Sequence, residues 1–163
     1  MLSASQIAEY QPQTDLLAEH IILITGAGDG IGKAAALTCA AHGATVILAG
    51  RTVAKLEQVY DSIVANGDAE PVIYPIDLEG ANSDDYNTLC NQLDEQFGRL
   101  DGLLHNAGIL GQRTPLSNYR TDVWDKVMQV NVTAAFQMTQ ALMPVLEKST
   151  SASVVFTTSS VGR

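Results

Sequence analysis

Apolar positions fall along this chain in two alternating patterns, short continuous runs and longer stretches at helical spacing. His20 to Thr25 encloses Ile21-Ile22-Leu23-Ile24 and reads as a buried strand. Ile31 to His42 is alanine-rich and helical, with His42-Gly43 as its stop, and Thr45-Val46-Ile47-Leu48-Ala49 is a second buried strand. Thr52 to Ala65 sets Val53, Leu56, Val59, Tyr60 and Ile63 on one helical face and ends at Asn66-Gly67. Pro71 to Asp77 reads as a third strand with prolines near its edges, and Ser83 or Asp84 caps a helix running through Tyr86, Leu89, Leu93 and Phe97 to Gly98. Asp101 to His105 is a fourth strand, residues 107 to 120 a loop, and Thr121 or Asp122 opens a long helix reaching Leu146 that is apolar on more than one face. Val154-Val155-Phe156 begins a fifth strand, and residues 1 to 19 form a polar lead-in containing Tyr10-Gln11-Pro12.

Strands alternating with helices over short connections predict an α/β fold, a doubly wound parallel sheet of order 3-2-1-4-5. Its ligand crevice is expected at the carboxyl ends of strands one and four. The chain divides into the lead-in, 1–19, and one domain, 20–163.

Composition narrows the partners. Eighteen acidic residues against nine basic ones give a net charge of −9, which argues against nucleic acid and anionic membrane. No run approaches a membrane span and no secretory signal is visible, so a cytoplasmic protein is expected. Cys39 and Cys90 lack the company that a disulfide framework or a metal site requires, and both read as buried helix residues. His20, His42 and His105 are read as structural.

The candidate chemistry starts at Thr25-Gly26-Ala27-Gly28-Asp29-Gly30-Ile31-Gly32, a glycine turn joining the first strand to the first helix. Helix N-termini carry unpaired N–H groups and partial positive charge, and glycines let a phosphate approach them. The preferred frame is G-x-x-x-G-x-G through Gly26, Gly30 and Gly32, because Gly26 stands at the strand end. Gly30-x-Gly32-x-x-Ala35 is the other frame. Gly32-Lys33 is followed by Ala34, which disfavours a nucleoside triphosphate loop. At the end of the second strand, Arg51 offers a planar charged fork where an acidic residue would suit a ribose 2′-OH. That choice favours NADP(H), with NAD(H) possible.

The chain resembles the short-chain dehydrogenase/reductase family, in particular bacterial 3-oxoacyl-carrier-protein reductases. The resemblance is carried by T-G-x-x-x-G-x-G, by Asp77-Leu78, by His105-Asn106-Ala107-Gly108 in place of N-N-A-G, by Asn131, and by Ser159-Ser160-Val161-Gly162. It implies cofactor contacts at Gly26, Gly28, Asp29, Gly30, Ile31, Gly32, Arg51, Asp77, Leu78, Asn106, Ala107 and Gly108. It also implies Ser159, with Ser160 as runner-up, as the serine that hydrogen-bonds the substrate oxygen. Asn131 would hold a relay water through its main chain, or simply kink its helix.

The implied reaction is hydride transfer between a nicotinamide and a small carbonyl or alcohol substrate, in a homodimer or homotetramer, with no metal. The family's Y-x-x-x-K pair is not found: none of Tyr10, Tyr60, Tyr74, Tyr86 and Tyr119 is followed four residues later by lysine. The expectation is therefore a truncated chain lacking the family's C-terminal strands and helices. The rival expectation is a non-catalytic dinucleotide-binding module. Truncation would also leave strand five as an open edge and the long helix with an uncovered apolar face.

Overall fold

Side chains of β1 (Ile21–Thr25) alternate cleanly between two cores in the computed structural model, which describes residues 12–159. Ile21 and Leu23 face one core and Ile24 the other. In β2 (Thr45–Gly50) the split repeats, Ile47 and Ala49 against Val46 and Leu48. A strand whose two faces are both covered needs apolar residues at every position, which explains the continuous runs. The remaining strands are β3 (Val72–Pro75), β4 (Gly102–His105) and β5 (Ser153–Phe156). All pair in parallel in the order β3-β2-β1-β4-β5, as expected from the sequence.

Helices α1 (Gly30–Ala41) and α2 (Val53–Ala65) supply Ala36, Ala40, Leu56, Val59 and Ile63 to one core. In α1 the buried stripe is Gly32, Ala36 and Ala40, so this helix lies close to the sheet. Across the sheet, α3 (Ser83–Phe97) and α5 (Ala134–Leu146) contribute Tyr86, Leu89, Leu93, Met138 and Leu142. Cys90 is buried there, whereas Cys39 is only half-buried, against the expectation that both are buried.

Two boundaries differ from the sequence reading for local reasons. Asn82, not Ser83 or Asp84, caps α3, because its side chain accepts from Asp84 N at 2.8 Å and Asp85 accepts from Asn82 N at 2.9 Å. The long helix is interrupted: α4 (Thr121–Met128) passes into a π-helical segment, Gln129–Thr133, before α5 begins. Asn131 lies inside that segment and its amide clamps Ile109, accepting from Ile109 N and donating to Ile109 O, both at 2.9 Å. The π-helical interruption and the asparagine thus coincide.

At the other end of the sheet Asp101 is nearly buried and accepts from Ile21 N, Ser149 Oγ and Arg99 Nε at 2.9, 2.7 and 3.0 Å. Burial alone would raise its pKa, but the hydrogen bonds from Ser149, Ile21 and Arg99 hold it below the usual carboxylate value. This network anchors the strand starts and leaves their carboxyl ends for the site. Among the described residues no helix is long and apolar enough to cross a membrane.

Candidate functional site

At the carboxyl edge of the sheet the chain leaves β1 through Gly26, whose φ of 67° suits glycine, and reaches the N-terminus of α1 at Gly30. Asp29 caps that helix, its Oδ1 accepting from Gly30 N at 2.8 Å. A cavity of about 350 Å³ opens beside this turn. Gly26, Gly28 and Asp29 form one wall, Arg51 and Thr52 at the end of β2 a second, and Asp77 and Leu78 after β3 a third. Ala107 and Gly108 after β4 complete it.

The turn holds its shape because three strand ends are stitched together. Thr25 Oγ1 donates to Leu104 O at 3.3 Å and accepts from Asn106 N and Ala107 N at 3.0 and 3.1 Å. Asn106 Nδ2 reaches Thr25 O at 3.3 Å, and its Oδ1 accepts from Thr157 Oγ1 at 3.2 Å. A Cβ on Gly32 would overlap the Gly26 carbonyl and approach Asn106 Nδ2 to 2.5 Å. A Cβ on Gly26 would come within 3.0 Å of Ala107 Cα. The turn and the helix start therefore pack closely at Gly26 and Gly32, with the Asn106 side chain set against both.

Of the sequence-predicted cofactor residues, Gly26, Gly28, Asp29, Arg51, Asp77, Leu78, Ala107 and Gly108 line the cavity. Gly30, Ile31, Gly32 and Asn106 do not line it; Gly32 and Asn106 serve the packing just described, and Ile31 is exposed. Lys55, Glu79 and Ile109 line it without having been singled out. For Lys55 no local signal was available, since its partner Asp29 lies 26 residues earlier in the chain.

Two ion pairs involve residues lining the cavity. Asp29 Oδ2 lies 2.6 Å from Lys55 Nζ, and Glu79 lies 2.8 Å from Lys126 Nζ. The hydrogen bond from Lys55, then that from Gly30 N, holds the Asp29 carboxyl below its ordinary pKa. Arg51 is exposed and has no carboxylate within ion-pair distance among the described residues.

Asn131 and Ser159 lie outside this cavity. Asn131 lines a second, shallow apolar depression with Phe136, Thr139 and Phe156. His105 packs beside it, its ring stacked on Phe156 at 4.9 Å and its Nε2 2.8 Å from Thr139 Oγ1. Thr139 spends its proton on Ala135 O at 2.8 Å, so His105 Nε2 is the donor in that contact. Burial drops the His105 pKa from 6.5 to about 4, and the ring is neutral at pH 7. Ser160 and the rest of its segment, Val161 and Gly162, fall outside the described residues. No group of three or more metal-ligating side chains occurs among the described residues.

A doubly wound parallel sheet with a glycine turn at its crevice defines a dinucleotide-fold protein. Residues 20–163 match the short chain dehydrogenase family, and the chain belongs to that family. It is 51% identical over 154 residues to the Uncharacterized oxidoreductase YciK of Escherichia coli K12, a match covering 94% of this chain and 61% of YciK. The solved YciK structure superposes with a TM-score of 0.91 over 95% of this chain and 64% of that one. A Shigella flexneri chain solved in complex with NADP is 49% identical, with a TM-score of 0.89 over 93% of this chain and 63% of that one. The chain thus spans less than two thirds of the length of these relatives.

Proposed function

We propose that this chain supplies the cofactor-binding part of an NADP(H)-dependent oxidoreductase that interconverts a small carbonyl compound and its alcohol. The observation that carries the reading is the convergence of the glycine turn, Arg51 and Asp77 on one cavity. The NADP-bound Shigella relative supports the choice of dinucleotide. Gly26 and Gly28 admit the pyrophosphate to the backbone, Asp77 and Leu78 take the adenine end, and Arg51 engages the 2′-phosphate through charged hydrogen bonds. When bound, the nicotinamide supplies the hydride for the carbonyl carbon.

In this reading Ser159 donates a hydrogen bond to the carbonyl oxygen. Asn131 holds a water through its main chain, supported by its place in a π-helical segment, where the regular ladder is interrupted. Residues 20–163 act as one dinucleotide-binding unit in the cytoplasm. The exposed apolar side chains Trp124, Val132 and Phe136 support a homodimer or homotetramer.

The test is a carbonyl-reduction assay of the intact protein with NADPH and a panel of ketones. NADPH-dependent reduction that falls at least roughly a hundredfold in Ser159→Ala supports the reading, by the scale of losing one preorganised donor to a reacting oxygen. NADPH binding without turnover on any ketone would assign the chain to a non-catalytic dinucleotide-binding module instead.

A further inference from the structure

Resting on the NADP(H) reading, we infer that Lys55 is a cofactor-specificity residue: by holding Asp29 in an ion pair, it lets the cavity accept a 2′-phosphate beside Arg51. The argument starts from charge. Asp29, Arg51 and Lys55 line the same cavity as Asp77 and Glu79, with Glu79 paired to Lys126 and Asp29 to Lys55. A phosphomonoester adds about 1.5 to 2 negative charges at neutral pH, more than one guanidinium offsets. Left alone, Asp29 would cancel Arg51 and favour a cofactor ending in an uncharged 2′-OH. With Lys55 Nζ at 2.6 Å from Asp29 Oδ2, that carboxylate is neutralised locally and is not left to offset Arg51.

Geometry makes Lys55 suited to this task. It sits in the first turn of α2, four residues after Arg51. Its stem passes directly under the glycine turn, where a Cβ on Gly28 would come within 2.9 Å of Lys55 Cβ. The absence of a side chain at Gly28 is therefore what lets the lysine stem cross to Asp29. Asp29 is itself held, because its other oxygen caps α1 through Gly30 N. Both side chains are more than half exposed, so the pair acts through local charge and contributes little to folding.

The test is a set of equilibrium NADPH and NADH titrations of the intact protein, wild type, Lys55→Ala, Asp29→Asn and the double variant, at low and high salt. Asparagine preserves the cap on α1. In Lys55→Ala the NADPH dissociation constant is expected to rise roughly tenfold while that for NADH changes less than about twofold, the scale of one partly screened charge. Adding Asp29→Asn to that variant is expected to restore most of the NADPH affinity, and high salt to shrink the differences.

Equal weakening of both cofactors in Lys55→Ala, or failure of Asp29→Asn to restore NADPH binding, would overturn the inference. Failure of the underlying reading looks different. A wild type that binds NADH as tightly as NADPH removes the 2′-phosphate site altogether. A preference that disappears in Arg51→Ala but persists in Lys55→Ala removes only the role given to Lys55.

Discussion

Around the carboxyl end of β1 polar groups are satisfied from within, whereas on the opposite flank β5 and the outer face of α5 end in exposed apolar side chains. Thr25 Oγ1 alone joins three partners, and Asn106 ties β1, β4 and the end of β5 together. By contrast Phe136 is 63% exposed, and Val155 and Phe156 lie open on the edge strand. The first region is over-determined, so that a methyl added at Gly26 or Gly32 has nowhere to go. The second leaves its apolar side chains room to change without straining the packing inside the chain.

The sharpest break in that comparison is Gly32→Val. Its Cβ would collide with the Gly26 carbonyl, a backbone atom that cannot rotate away. A loss of about 3 kcal/mol or more is expected in urea unfolding, together with loss of dinucleotide binding. A change under about 1 kcal/mol would mean that the α1 start yields more easily than its packing implies.

Next in size is the pH response of His105, which sits at the junction of the two regions. Its folded pKa is near 4 against an ordinary 6.5, so between those values the unfolded chain carries a proton that the folded chain does not. Stability therefore falls on acidification across that window, by on the order of 2 to 3 kcal/mol. His105→Asn should flatten the response when unfolding free energy is measured from pH 7 to 4. An unchanged slope in the variant would place the acid sensitivity elsewhere.

Asn131→Ala removes both hydrogen bonds to Ile109 and is expected to cost about 1 to 2 kcal/mol in the same unfolding assay, with faster amide exchange at Ile109. Smallest of all, Val155→Thr on the exposed edge strand should move the unfolding free energy by no more than about 0.5 kcal/mol. A larger loss there would mean that this face is covered in solution.

How far the sequence carried depended on how local each feature was. Continuous apolar runs marked β1 and β2 because parallel strands covered on both faces tolerate nothing else there. Strand order followed from the alternation with helices. Less legible were features fixed by partners distant in sequence. Nothing in the neighbourhood of Asn131 announces that its amide will clamp Ile109 and accompany a π-helical turn. The Asp29–Lys55 pair likewise forms only when α2 folds back over the glycine turn. At the cap of α3, Asn82-Ser83-Asp84-Asp85 offers several capable residues in a row, and the backbone conformation of Asn82 decides among them.

The site residues divide in the same way. Gly26 and Arg51 were marked by their place at strand ends. Gly32 matters through what packs on it and not through the cavity.

The central claim is that the cavity beside the glycine turn takes a phosphorylated dinucleotide through Arg51. The direct test is the ratio of NADH to NADPH dissociation constants in wild type and Arg51→Ala, at one fixed ionic strength. The account gives a wild-type ratio well above one that falls by roughly ten- to a hundredfold in the variant, the scale of a lost charged bidentate contact. The same ratio in both proteins would contradict it.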